Sequence, residues 1–414
     1  MNNKQKTILC LFDYACMTGF ATVSQNIVPR IKAAFGAEIS LHICAINYFG
    51  EPYTDKETGS MVFPASKLSE RSDDFGRYGF MELLMSTNIY DGIFIIQDLG
   101  IITPIIPLLE KIKEEKKKKG LRVFKSMYYF PVDHDLQQHH LTGIEFFDTI
   151  VTYTQYARNE VEKARPDLKG KVGVVLHGVN TDQFYPTDAT EFRKQYFGSN
   201  ADKYIIMNLN RNQPRKDIPN TIFGFIETKK RWKDDSRRKP FLYLHMAKKD
   251  PMGWDLDKLL KQTDLVEGED YMFPPQEIQD KGAPVETINL LYNAVDVYLT
   301  TTLGEGFGLG FIEAAATKLP IICPFSTSFK EMSFSKELRA FTLHNLTPSC
   351  NTTDNVIRPK TNIEEVSSQI RYLYHLNTGN IKYVTDNAYR WATDLSWDNV
   401  CKQWENLFRL TYFH

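Results

Sequence analysis

The chain has 414 residues, 42% hydrophobic and 24% charged, a balance that fills two globular cores and excludes a single small fold or a disordered or fibrous chain. Its 50 lysines and arginines stand against 51 aspartates and glutamates, a formal net charge of -1, which excludes a binder of nucleic acid over its whole surface but allows local basic patches. Six cysteines, with no C-x-x-C and no close pairing, form neither a disulfide framework nor a zinc site and point to a reducing, cytoplasmic compartment.

The first six residues are polar, and the apolar run 7–12 is too short for a signal-peptide core. No later run reaches the roughly 18 apolar residues of a membrane span. The expectation is a soluble or at most peripheral protein.

Short β-branched and aromatic runs at 7–12, 39–46, 92–97, 121–129, 148–153 and 171–176 read as strands. Helical spacing fills several gaps, as in Val23, Ile27, Ile31 and Ala34, which stops at Gly36 and should kink at Pro29. Alternating strands and helices predict βαβ units around a parallel sheet. A polar interval at 180–203, with Pro186 and a Gly198-Ser199-Asn200 turn, reads as a domain link. The pattern then repeats, with strands expected at 203–209, 240–246, 270–273, 295–300 and 320–323 and three helical stretches beyond Asn362. Two doubly wound domains would place a cleft at the carboxyl ends of their sheets.

Two charge runs interrupt the pattern. The run 111–119 opens on Lys111 and ends in four lysines, closing on Lys119; the run 229–239 opens on Lys229, closes on Lys239 and has seven basic residues against Asp234 and Asp235. Both read as solvated surface, or as a peripheral docking patch for an anionic surface such as phospholipid headgroups or nucleic acid.

The densest chemistry lies between Asp296 and Pro320, which reads strand, glycine-rich turn, helix. Gly304, Gly306, Gly308 and Gly310 allow close backbone approach, and a helix starting near Gly308 would aim free amides at a phosphate. Glu305 at the turn and Glu313 within the helix can reach different hydroxyls of one ligand. A dinucleotide fingerprint is excluded because Phe311 stands where G-x-G-x-x-G needs its third glycine. Carboxylate-pair glycosidases draw their two residues from separate elements. Arg211 and Lys216, after the first strand of the second half, supply a fork and a point charge suited to a departing diphosphate.

The segment from Asn289 through Pro320 resembles the glutamate-x7-glutamate signature of family 4 retaining glycosyltransferases with the GT-B fold, departing from it at Lys318, where the family usually has glycine. Leu209-Asn-Arg211-Asn-Gln-Pro-Arg-Lys216-Asp217 and Leu176-His-Gly178-Val-Asn180-Thr-Asp182-Gln-Phe184 resemble further family motifs in the same order, and Leu395-Ser-Trp397 with the final helix resembles its terminal helix.

The resemblance implies an α/β chain of GT-B form, with two doubly wound Rossmann-like domains whose parallel sheets face a central cleft. They would be an acceptor-binding domain at 1–180 and a nucleotide-sugar-binding domain at 203–394, with a helix at 395–414 returning to the first. It implies a retaining, metal-independent transferase that moves a sugar from a nucleoside diphosphate sugar, a UDP-sugar on family frequency, to an acceptor hydroxyl. No cofactor is implied beyond that donor substrate. Arg211, Lys216, Gly306, Phe307, Gly308 and Leu309 would hold the diphosphate, Glu313 the ribose and Glu305 the donor sugar, with Gly19 in the first loop facing the donor. In the family a histidine after the fourth strand lies near the transferred sugar, and either Asp133 or His134 could take that place.

Asp133-His134-Asp135 also matches the D-x-D of metal-dependent GT-A enzymes, where magnesium or manganese bridges the diphosphate, but two doubly wound halves do not suit that fold. His139 and His140 lack further zinc ligands. A noncatalytic sugar-nucleotide or glycan-binding module and a nucleotide-sugar epimerase are the alternative functions on this fold. The acceptor, whether glycan, lipid, small molecule, protein or modified nucleic acid, is left open.

Overall fold

A computed structural model describes residues 5–71, 73–232, 238–350 and 355–414. The chain divides into two compact units. The first comprises Met1–Val132, Leu136–His177 and Trp397–His414, the second Asp133–Asp135 and Gly178–Ser396. Three residues of the loop after Val132 thus belong to the second unit although the chain on both sides of them belongs to the first.

The sheet of the first unit is built from Lys6–Asp13 (β1), Ile39–Ile46 (β2), Tyr53–Thr54 (β3), Met61–Pro64 (β4), Gly92–Ile96 (β5), Lys125–Phe130 (β6), Thr149–Thr152 (β7) and Val172–Val174 (β8). Its order is β3-β4-β2-β1-β5-β6-β7-β8, parallel except for the β3–β4 pair. Central strands such as β5 are buried along their whole length, as expected of parallel strands covered on both faces.

The second unit carries Tyr204–Leu209 (β9), Pro240–His245 (β10), Tyr271–Met272 (β11), Val297–Leu299 (β12), Ile321–Pro324 (β13) and Phe341–Leu343 (β14). They form a wholly parallel sheet in the order β11-β10-β9-β12-β13-β14. A separate antiparallel hairpin, Leu346–Cys350 (β15) with Ile357–Thr361 (β16), follows β14. Ile206, Leu242, Leu244, Val297 and Ile322 lie at the centre of this unit's core.

Several local expectations change. The helix Gly19–Phe35 runs through Pro29 without a break, because Val23, Ile27, Ile31 and Phe35 on its buried face hold it against the loss of one backbone hydrogen bond. The stretch 121–124 stays outside β6; Leu121 and Val123 are exposed there and only Phe124 packs inward. The interval read as a link holds the helix Thr190–Phe197, whose Arg193 donates to the carbonyls of Ala201, Lys203 and Ala294 and pairs with Asp296 at 2.9 Å. Beyond Asn362 the helices Ile363–His375, Thr378–Asp394 and Trp397–Phe408 follow one another. The last packs on the helix Gly19–Phe35 within the first unit: Arg30 pairs with Asp398 at 2.7 Å, and the Phe35 and Phe413 rings stack at 5.1 Å. Tyr412 donates to the Ile93 carbonyl at 2.6 Å. Among the described residues no helix is long and apolar enough to cross a membrane.

Lys318, the departure from the motif, has φ of 60° just past the helix Leu309–Ala316, a left-handed position that glycine occupies without cost. Its side chain offsets the strain by pairing with Asp386 at 2.8 Å and lying 4.7 Å over the Tyr389 ring. Lys318→Gly and Lys318→Ala both lose those contacts, so the glycine variant should be the more stable by about 1 kcal/mol. Denaturant unfolding of the two variants side by side measures this; coincident curves would show no backbone strain at the position.

Candidate active site

In the second unit the chain goes from β9 to β10 on one side and later to β12 on the other, so the loops after β9 and β12 leave adjacent strands in diverging directions. Open parallel sheets form their ligand crevice at such a switch point. The loop after β9 turns through a short helix, Pro214–Lys216, and places Asp217 at φ 45°. The loop after β12 runs Thr300, Thr301, Thr302, Leu303, Gly304, Glu305. Buried threonines fasten one loop to the other: Thr302 Oγ1 donates to the Arg215 carbonyl at 3.2 Å, Thr301 Oγ1 to that of Asp217 at 3.0 Å, and the Leu303 amide to Arg215 at 2.8 Å.

This fastening brings opposite charges together. Lys216 Nζ pairs with Glu305 Oε1, and Arg215 Nη1 donates to Glu305 Oε2 at 3.0 Å and also to the Gly304 carbonyl. Arg215 Nε reaches Asp133 Oδ2 at 3.1 Å. Asp133 Oδ1 takes Arg358 Nη1 at 3.1 Å and His134 Nδ1 at 2.8 Å. The Glu305 amide donates to Thr327 Oγ1 at 3.0 Å. A Cβ on Gly304 would collide with the Asp133 carbonyl oxygen, so only glycine lets these two loops touch.

Burial alone would raise the Glu305 carboxyl, but Lys216 and Arg215 outweigh it and hold it at about 2. Burial likewise works against the Asp133 carboxylate, and His134, Arg215 and Arg358 keep it well below the usual range. The same burial draws Lys216 below the ordinary lysine value, a pull that Glu305 opposes. Glu305 therefore keeps a buried lysine charged where an anion can take it over.

The helix Leu309–Ala316 starts at Gly308, whose φ of 98° and close approach to the Phe329 ring require glycine. No side chain caps it, so the positive end of its dipole at Leu309 is not offset by a capping oxygen. Phe307 is buried beside them, its carbonyl accepting from Ser328 Oγ at 3.0 Å. Gly306 links Glu305 to this turn. Glu313, one to two turns into the helix, accepts from the Tyr292 hydroxyl at 2.9 Å, and burial pushes its carboxyl up to about 7 against that bond.

The structure thus joins Lys216, Glu305, Asp133 and His134 in one cluster and sets Gly308, Leu309 and Glu313 on the adjoining helix start. Arg211 is not part of the cluster. Its side chain is 59% exposed and pairs with Asp250 at 2.7 Å, because the Pro214–Lys216 turn carries Arg215, not Arg211, round to face Glu305. Gly19 lies in the first unit, as the first residue of a helix capped by Thr18. Two residues absent from the sequence reading are central here. Arg215 stands beside Lys216 and could have been singled out on that adjacency; Arg358 comes from β16, and no local pattern announces it. Asp133 has both oxygens on cations, so a metal at the D-x-D would have to displace Arg215 and Arg358.

Part of each basic run is engaged, while Lys111, Lys117, Lys118 and Lys119 are exposed. Lys113 pairs with Asp148 at 3.1 Å and Lys116 donates to the Thr87 carbonyl at 2.7 Å. Lys229 pairs with Asp270 at 2.6 Å and Arg238 with Asp296 at 2.7 Å, while 233–237 lie outside the described residues.

No protein-family model matches the chain. A curated relative, a probable sucrose-phosphate synthase of Thermosipho melanesiensis, is 26% identical over 220 residues, which are 51% of this chain and 46% of that protein; the chain spans about half the length of the curated relative it matches. Among solved structures, the sucrose-phosphate synthase of Thermosynechococcus elongatus superposes with a TM-score of 0.70 at 15% identity, over 98% of this chain and 99% of that one. The Anabaena protein HepE, solved in complex with UDP and glucose, gives 0.66 at 13% identity, over 98% and 100%. The relative and the sucrose-phosphate synthase structure are glycosyltransferases, and the likeness to the solved structures spans nearly the whole chain: its fold is the GT-B fold.

Proposed function

We propose that the chain is a retaining, metal-independent glycosyltransferase of family 4 type, moving a sugar from a nucleoside diphosphate sugar, with UDP as the favoured carrier, to an acceptor hydroxyl. The observation that carries this reading is the pair of cations, Lys216 and Arg215, held on the single carboxylate of Glu305 beside an uncapped helix start at a sheet's switch point.

When the bond from sugar to diphosphate breaks, negative charge gathers on the leaving phosphate. Cations already in place stabilise that charge with no reorganisation, which is how such sites lower a barrier. Lys216 and the amides at Leu309 and Gly310 take the phosphates. Arg211, whose side chain is 59% exposed, joins them by leaving Asp250, whose carboxylate keeps the Met252 amide as a donor. Glu313 holds the ribose hydroxyls, Glu305 the donor sugar, and Asp133 with His134 the far edge of that sugar. The first unit brings the acceptor, with Gly19 at its first helix start facing the donor. The relative and the neighbour named as sucrose-phosphate synthases, and the neighbour solved with UDP and glucose, support the donor class. All six cysteines are free thiols, which supports a reducing, cytoplasmic setting.

A thermal-shift panel of UDP, ADP and their glucose conjugates in EDTA tests the donor. A ligand at 100 times its Kd should stabilise the fold by about 2.7 kcal/mol, and UDP should give the largest shift. NMR of the first product from the stabilising donor should show the donor's anomeric configuration kept. No shift from any nucleotide, or an inverted product, refutes the reading.

A further inference from the structure

The hairpin of β15 and β16 lies outside both parallel sheets, yet two of its basic residues reach the loops of the active-site cluster. Lys360 approaches Asp217 Oδ2 at 3.5 Å. Arg358 is the more telling. Its side chain is only 5% exposed, and Nη1 binds Asp133 twice, at the backbone carbonyl at 2.9 Å and at Oδ1 at 3.1 Å. The base of the hairpin is itself anchored, since Asn220 Nδ2 donates to the Thr361 carbonyl at 2.7 Å and to its hydroxyl at 2.6 Å.

We infer that Arg358 is a positioning residue for transfer: it clamps the segment Asp133–Asp135 against Gly304 and Glu305, so that the groups facing the donor sugar are held in reactive geometry. Three observations carry this. The segment belongs to the second unit although the chain on either side of it belongs to the first, so it needs an anchor in the second unit. Arg358 supplies one by gripping both main chain and side chain of one residue, which fixes orientation as well as place. The Asp133 carbonyl it grips is the atom that closes the space over Gly304, and the Asp133 carboxylate it grips also orients Arg215, the partner of Glu305. Arg358 Nη1 also lies beside Gly304, 3.3 Å from where a Cβ there would stand, and its two bonds to Asp133 make that residue the one it acts through. The inference rests on the transferase reading above.

Because the clamp orders groups around the sugar and not around the nucleotide, its loss should appear in turnover and spare nucleotide affinity. Misplacement of reacting groups by about 1 Å costs on the order of 100-fold in rate. Arg358→Gln, Arg358→Lys, Asp133→Asn and the Arg358→Gln/Asp133→Asn double variant are compared with the native chain, measuring UDP affinity by calorimetry and UDP release from UDP-glucose. Arg358→Gln should lower kcat by about 100-fold with the Kd for UDP within twofold of native. Arg358→Lys should recover part of the rate, and the double variant should be no slower than Arg358→Gln, since both changes break one clamp.

A native kcat in Arg358→Gln overturns the inference. So does a UDP Kd weakened in step with kcat, which would make Arg358 a direct phosphate ligand. Should Arg358→Gln fail to fold, Arg358→Lys decides: a reduced kcat at native UDP affinity supports the clamp, and native turnover refutes it. If the native chain binds neither UDP nor ADP, the transferase reading fails and takes this inference with it. Nucleotide binding in the native chain with unaltered turnover in every Arg358 variant removes the clamp alone.

Discussion

Lys216→Ala is expected to lower kcat by about 100- to 1000-fold, the usual cost of removing one preorganised stabiliser of transition-state charge. The fold should survive, because Glu305 keeps Arg215 at 3.0 Å and its buried carboxylate is not orphaned. Arg211→Ala should be similarly damaging and Arg211→Lys only partly active, since the guanidinium fork is lost. Asp250→Ala, which frees Arg211 and also removes the acceptor of the Met252 amide, should leave kcat close to native. Full activity in EDTA would agree with charge neutralisation by these side chains. Activity abolished by EDTA and restored by manganese, with Lys216→Ala near native, would move the chemistry to a metal at Asp133 and Asp135.

Glu313→Gln should raise the donor KM by about 10- to 100-fold with little change in kcat. Hydrogen bonds to a charged group are worth about 1.5 to 3 kcal/mol, and ribose contacts are made alike in ground and transition states, so they appear in binding. The same substitution should change stability in the opposite sense. With its carboxyl at about 7, native Glu313 keeps in the folded state a proton that the unfolded chain has already released. Between the ordinary carboxylate range and about pH 7 the folded chain therefore binds more protons, and stability falls as pH rises through that window. A neutral glutamine carries no such penalty. Glu313→Gln should thus be more stable than native above pH 7 and lose that part of the pH slope, while native donor affinity should improve as pH rises towards and past 7. Thermal unfolding from pH 4 to 8 with parallel KM measurements tests both halves. A large kcat loss at unchanged KM would contradict the ribose role, and an unchanged pH slope in the variant would contradict the buried, proton-bearing carboxyl.

The two effects draw on different features of the site. On the proposed reading Lys216 is costly to lose because its charge is needed as the diphosphate departs. Glu313 burdens the fold because its partner in the chain is a hydroxyl and not a cation. Storing a destabilised charge where a ligand will engage it is a recurrent expense of binding sites.

The strands of both units were legible in the sequence because the signal is local. Parallel strands covered on both faces must be short apolar runs, and β1, β2, β5, β9 and β10 coincide with such runs to within a residue or two. The turn at Gly304 to Gly308 was legible for a related reason: backbone that must pass close to other atoms admits only glycine, and the collisions at Gly304 and Gly308 show that demand. Short or polar strands such as β3, β15 and β16 left no such trace. Their pairing satisfies backbone groups without burying an apolar row, and so has no periodicity to read.

What only the tertiary structure decided is which charges meet. The strand-end position and the family resemblance singled out Arg211 with Lys216, yet the turn at Pro214–Lys216 sends Arg211 to Asp250 and Arg215 to Glu305. Arg358 joins the cluster from a hairpin distant in sequence, and Asp133 reaches it from a loop whose flanks belong to the other unit. A charged side chain several bonds long takes its direction from the backbone turn beneath it and its partner from whatever the fold brings within about 4 Å. Composition and periodicity record which residues are buried in sheets and helices, but the direction of an ion pair across two loops is set only when those loops are fastened together, here by the hydroxyls of Thr301 and Thr302.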